Sequence, residues 1–126
     1  MYRIDRSLTI PRGIEEVFRF FSDPARLEEI TPPWLHFHVV SSSTASIGAG
    51  TVIDYRLRVR GIPVRWRSLI PAWEPPFRFV DEQVIGPYRR WIHEHSFVDL
   101  GDNTRVGDFV RYSVLGGALV NRFLVL

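Results

Sequence analysis

Neither cysteine nor lysine occurs among the 126 residues. Without cysteine there can be no disulfide framework, no thiolate nucleophile and no Cys-containing zinc site. That composition fits a reducing cytoplasm. Without lysine there is no Schiff-base chemistry and no lysine clamp for phosphate. All sixteen basic residues are arginine; the calculated pI is about 9.5, yet the net charge is only +2. So small a net charge gives little reason to expect a polyanion, and no nucleic-acid partner is expected. The opening Met1-Tyr2-Arg3-Ile4-Asp5-Arg6 lacks the apolar run of a signal peptide. No stretch approaches the roughly 18 apolar residues of a membrane span. A soluble, cytoplasmic protein is the expectation. A Gly-rich phosphate loop, a Gly-x-Ser-x-Gly elbow and His-Glu-x-x-His are also missing, His93-Glu94-His95 being too short for the last.

What is present suits a single domain spanning residues 1–126. Hydrophobic residues make up 45% and charged residues 24%, an ordinary globular balance. A chain this long buries roughly two thirds of its unfolded surface, enough for one core and a pocket. Tyr2 to Ile10 reads as a strand ended by Pro11. Ile14, Val17, Phe18 and Phe21 then follow helical spacing. Asp23-Pro24 caps a second, short helix with Leu27 and Ile30 inward, and Thr31-Pro32-Pro33 ends it. From Trp34 the period becomes two. Strands are predicted over Trp34 to Val40, Thr51 to Arg60, Ile62 to Trp73, Phe77 to Ile85, Tyr88 to Leu100 and Thr104 to Ser113. Short turns join most of them, which makes an antiparallel meander and an α+β fold. The final segment from Gly116 to Leu126 reads as a helix that stops in its apolar part, so a truncated C-terminal helix is expected.

The most informative stretch is Trp91-Ile92-His93-Glu94-His95-Ser96-Phe97. In a strand, Trp91, His93, His95 and Phe97 share one face while Ile92, Glu94 and Ser96 share the other. Two aromatics bracketing two histidines suit the wall of a partly polar cavity. The same parity brings Tyr55, Trp66, Phe77, Phe79, Asp81, Gln83, Thr104, Val106, Asp108, Val110 and Tyr112 to the inner face. An unpaired buried carboxylate is costly, so Asp81 and Asp108 are expected to find His93 or His95.

This cluster admits three readings. It is a structural polar network, a pocket in which His95, Tyr112 and Gln83 orient an apolar molecule, or a metal site built on His-x-His and a carboxylate. The spacing alone is a weak metal signal, and no metal or cofactor is expected. On the outer face, Arg56, Arg58 and Arg60 lie opposite Arg65 and Arg67. The expectation there is a solvated face neutralised by Asp54, Glu82 and Glu94 rather than an anion-binding surface.

Together, Phe21-Ser22-Asp23-Pro24, Ile30-Thr31-Pro32-Pro33-Trp34, Trp73-Glu74-Pro75-Pro76, Phe79-Val80-Asp81-Glu82-Gln83, Gly86-Pro87-Tyr88, Trp91-x-His93-x-His95-x-Phe97 and Asp108-x-Val110-x-Tyr112 make a pattern. It resembles the SRPBCC superfamily, START-like or polyketide cyclase/dehydrase-like proteins, in its small bacterial branch. The resemblance implies a helix-grip fold, an antiparallel sheet around a C-terminal helix with a hydrophobic cavity between them. Relatives bind lipids, sterols, polyketides, hormones or aromatic compounds, and some are enzymes.

A small hydrophobic ligand is therefore expected, lined by Tyr55, Trp66, Asp81, Gln83, Trp91, His93, His95, Phe97, Asp108 and Tyr112. One alternative is a cyclase, dehydratase or hydrolase using His93, His95, Asp81 and Asp108 as acid and base. Another is a non-enzymatic interaction module using the outer arginines. If the chain stops at Leu126, a homo-oligomer is expected to supply the missing cover.

Overall fold

The β-branched and aromatic runs form seven antiparallel strands, and the two N-terminal helices lie between the first two. A computed structural model of the chain describes residues 1–114, apart from the side chains of Leu27 and Ile30. The expected C-terminal helix and the inward placement of Leu27 and Ile30 lie outside the described residues. The elements are β1 (Tyr2–Ile10), α1 (Ile14–Phe21), α2 (Pro24–Ile30), a 3₁₀ turn (Pro33–Leu35), β2 (His38–Ser42), β3 (Val52–Val59), β4 (Ile62–Glu74), β5 (Arg78–Ile85), β6 (Arg90–Asp99) and β7 (Thr104–Ser113). They form one sheet in the order β1-β7-β6-β5-β4-β3-β2. Consecutive strands pair as hairpins from β2 to β7, and β1 closes the sheet against β7.

α1 forms where its apolar spacing predicts. Ile14, Val17 and Phe18 are buried, Glu15 and Glu16 sit in the first turn and Arg19 in the last, each charge favourable to the helix dipole. The buried face meets Phe79, Phe97 and Val106 of the sheet, with Ile10, Phe21 and Trp73 around them. Phe18 is the hub, its ring 5.1–5.8 Å from Phe97, Trp73 and Phe79 in edge-on contacts. Each side chain so buried contributes about 1.5–3 kcal/mol, and the cluster anchors one end of the concave face. Asp23 accepts the Ala25 amide at 3.0 Å, as its position before Pro24 predicts.

Two expectations need correction, and one strand departs from regular alternation. The strand expected from Trp34 begins only at His38, because Pro33 starts a 3₁₀ turn that ends in His36 with φ 47°. The helical φ that proline carries suits that first turn position better than a pleated strand. Phe77 belongs to the turn before β5 and is exposed, not inward. Trp73 also breaks the alternation of β4. Three residues, Leu69 to Ala72, advance against two of β5, Glu82 to Val80, and this bulge turns Trp73 inward opposite Phe79.

Candidate functional site

Strand register brings the candidate residues together. Asp81 on β5 lies opposite His93 on β6, and His95 lies opposite Asp108 on β7. The hydrogen bonds run diagonally instead. His93 Nε2–H donates to Asp108 Oδ1 at 2.8 Å, and His95 Nε2–H donates to Asp81 Oδ2 at 2.6 Å. The remaining ring nitrogens face the carboxylates they do not bond, His93 Nδ1 at 3.8 Å from Asp81 Oδ2 and His95 Nδ1 at 3.6 Å from Asp108 Oδ1. The two imidazoles stack with centroids 3.7 Å apart, and Phe79 continues the stack 4.1 Å beyond His95. A tetrad of two imidazoles and two carboxylates thus sits beside the Phe18 cluster, joined to it through Phe79.

Charge follows geometry. Burial disfavours a charge on the His93 ring, but the hydrogen bond to Asp108 and the fields of Asp81 and Asp108 prevail and raise its pKa. Asp108 is held below the ordinary carboxylate range, first by its hydrogen bond from His93, against the cost of burial, and further by His93, His95 and Arg6. Arg6 was missed in the sequence. It stands directly opposite Asp108 in the register, and its parity with Ile4, Leu8 and Ile10 was the available signal. Burial, with Asp81 nearby, pushes the Tyr55 phenol far up.

Beyond the tetrad, away from the α1 core, lies a wall of rings. Trp91 contacts Trp66 at 5.4 Å, Tyr88 at 4.7 Å and Tyr112 at 5.8 Å, and Tyr2 stacks on Tyr112 at 5.4 Å. Tyr88 and Tyr2 join the expected Trp66, Trp91 and Tyr112; Tyr88, in a turn, carries no periodicity that would have marked it. Burial, and then Tyr112, push the Tyr88 phenol up to about 12. Gln83 holds that turn, accepting the Tyr88 amide at 3.1 Å and donating to its carbonyl at 2.6 Å. A Cβ at Gly86 would collide with the Gln83 side chain and force it to shift from these bonds. Two more residues fall at the margins of the site. Phe97, 2% exposed, lies in the core under Phe18, and Tyr55 stands on β3, three strands from β6, against Phe37, at 4.9 Å.

Asp81, His93 and His95 also bring three metal-competent atoms within 4.8 Å of one another. A second His-x-His went unnoticed in the sequence. His36 and His38 are exposed, and they line an open groove of about 830 Å³ with Tyr55, Arg56, Arg58 and Arg65. The pairings on the outer face follow the expectation in part. Asp54 pairs with Arg67 at 2.9 Å, but Glu94 goes to Arg78, which also bonds Glu74, while Arg56 faces Arg65 across the hairpin. A second groove, of about 600 Å³, opens beside Val80, Ile92 and Phe109. No helix among the described residues is long and apolar enough to cross a membrane.

Residues 10–125 match the family model described as polyketide cyclase / dehydrase and lipid transport. No curated protein matches the chain. Among solved structures, a START superfamily protein from Mycobacterium smegmatis is 12% identical, with a TM-score of 0.73 over 96% of this chain and 85% of its own. A Thermus thermophilus protein is 22% identical, with a TM-score of 0.71 over 96% of this chain and 82% of its own. The Zhui aromatase/cyclase from a Streptomyces species is 15% identical, with a TM-score of 0.72 over 95% of this chain and 72% of its own. At such identities the likeness is one of fold, and the fold is the helix grip.

Proposed function

Because the chain belongs to the polyketide cyclase/dehydrase and lipid transport family, we propose that it binds a small, largely apolar or aromatic molecule on the concave face of its sheet, in the cytoplasm. The observation that carries this reading is the adjacency of the ring wall and the polar tetrad on that one face. Trp66 and Trp91, only partly buried, offer flat apolar surface beside the buried Tyr112, and each aromatic contact contributes about 0.5–1.5 kcal/mol beyond area burial. His93, His95, Asp81 and Asp108 offer donors and acceptors that orient a carbonyl or hydroxyl group. Phe97 and Tyr55 flank this surface on either side, and Gln83 fixes the turn that carries Tyr88 into the wall.

The test is a panel of aromatic, polyketide-like and fatty-acyl compounds read by thermal shift and tryptophan fluorescence. A binder is expected to raise the melting temperature and perturb Trp66 and Trp91 emission. Both effects should fall at least tenfold in affinity in the His95→Ala, Tyr112→Phe double variant. Binding unaffected by that pair of changes would overturn the assignment to this face.

A second reading is favoured by one observation, the donation of each imidazole to a carboxylate. A histidine oriented in this way serves as a general base, and the Zhui neighbour is by name an aromatase/cyclase. In this reading His93 and His95 move protons on a bound substrate while Asp108 and Asp81 stabilise the imidazolium. Turnover of a bound compound that Asp108→Asn slows without weakening binding would establish it. Binding without turnover at any pH leaves the carrier reading.

A further inference from the structure

We propose that Asp81, His93 and His95 form a site for one divalent transition-metal ion of the zinc class, with Asp108 holding the two imidazoles from behind. The inference uses the same cluster as the ligand reading but requires no organic ligand, so each can fail alone.

The first support is placement. His93 and His95 are two apart on β6 and so share a face, and Asp81 is the register partner of His93 on the adjoining strand. All three ligands therefore stand on neighbouring strands of one sheet, a more exact support than loops. Asp81 Oδ2 lies 3.8 Å from His93 Nδ1 and 2.6 Å from His95 Nε2. Around a tetrahedral ion with bonds of roughly 2.0–2.1 Å, neighbouring ligand atoms are about 3.3 Å apart. That separation falls between the two observed, and all three ligand atoms lie within 4.8 Å of one another, so side-chain rotations of about an ångström or somewhat more convert one arrangement into the other. The ion takes the place of the proton that His95 shares with Asp81, and the ring passes to its Nδ1–H tautomer, a proton going to Nδ1 as the one on Nε2 is lost to solvent.

The second support is independent of the first. The nitrogens that would not bind the ion, His93 Nε2 and His95 Nδ1, both face Asp108 Oδ1, at 2.8 and 3.6 Å. Metal-bound imidazoles nearly always donate their other N–H to a carboxylate, carbonyl or water, which sets the tautomer and ring direction. Here Asp108 already bonds the His93 ring, and the same oxygen stands close enough to His95 Nδ1 for a small shift to let it serve both. The His93 tautomer that donates from Nε2 leaves Nδ1 free to ligate.

The rings, stacked at 26°, must splay for both lone pairs to converge, and the broad torsion at the end of a histidine side chain permits it. Two imidazoles and one carboxylate suit zinc, cobalt or nickel, whereas calcium and magnesium prefer all-oxygen sites. His36-x-His38 has the same spacing but joins no such three-residue cluster among the described residues, so it serves as an internal control.

The untagged full chain, stripped with a chelator, is titrated with Zn²⁺ by calorimetry and with Co²⁺ by visible absorbance. About one equivalent should bind, with Co²⁺ ligand-field bands between nitrogen and oxygen donors. His95→Ala or Asp81→Ala should abolish binding, Asp108→Asn should keep the stoichiometry with roughly ten- to hundredfold weaker affinity, and the His36→Ala, His38→Ala double variant should bind like wild type. If an alanine variant fails to fold by circular dichroism, the imidazole ¹⁵N shifts of the wild type decide. Zn²⁺ should then move His93 Nδ1 and His95 Nε2 while sparing His36 and His38. Absence of saturable binding by the wild type, its survival in folded His95→Ala, or its loss with His36 and His38 would each overturn the proposal.

Discussion

Two His-x-His pairs occur in this chain, and they differ in everything except spacing. His93 and His95 lie inside a ten-residue strand flanked by carboxylates on both neighbours. His36 and His38 straddle the exit from a 3₁₀ turn, the first in a left-handed conformation and the second opening an edge strand. In the inner pair the pleat sets both rings on one face, and the sheet supplies Asp81, Asp108 and Phe79 around them. In the outer pair no continuous pleat relates the two side chains. What a two-residue spacing means chemically is thus decided by the strand it stands in and by that strand's neighbours.

The comparison can be broken most severely from the core. Phe79 is 5% exposed and joins His95 to the Phe18 cluster. Phe79→Ala is expected to cost about 3–5 kcal/mol in urea unfolding, whereas Phe37→Ala, between the outer histidines and only half-buried, should cost less. Next comes the loss of an inner ring. His95→Ala leaves Asp81 without its hydrogen-bond donor and should destabilise by about 1–3 kcal/mol. The outer double variant, His36→Ala with His38→Ala, should stay within about 0.5 kcal/mol of wild type, and equal effects would erase the distinction.

The smallest effect is on pH dependence in the metal-free protein. His93, raised above its ordinary value, contributes fully below that value and loses its contribution as the pH rises through the folded pKa. Asp108, lowered, contributes above the ordinary carboxylate range and loses its contribution as the pH falls through its folded pKa. Asp81 faces these groups from β5, Arg6 from β1 and His95 from β6 itself. Stability should therefore peak between the two transitions. Asp108→Asn should flatten both limbs by less than about 1 kcal/mol, because the partly exposed carboxylate is screened. Urea midpoints measured across the pH range check this, and an unchanged profile would remove the electrostatic role of the pair.

Much of the site was legible because strands obey a period of two. That alone grouped Trp91, His93, His95 and Phe97, and joined Asp81, Asp108, Trp66 and Tyr112 to them. Alternation fails where a residue is inserted or the chain turns. Trp73 changed face at a bulge, Phe77 fell into a turn, and Tyr88 reached the ring wall from one. Arg6 followed the rule, but its meaning depended on β1 pairing with β7, a contact between the two ends of the described chain.

The sequence by itself determined the order of the strands and first helices, the face of the strand residues away from bulges and turns, and the aromatic and ionisable character of the concave side. These are local consequences of backbone geometry and side-chain chemistry. Only the tertiary structure decided which imidazole bonds which carboxylate, that the bonds cross the register diagonally, and that Asp108 stands behind both rings. Those choices depend on strand neighbours, twist and ring stacking, and side chains distant along the chain settle them only once the sheet has closed.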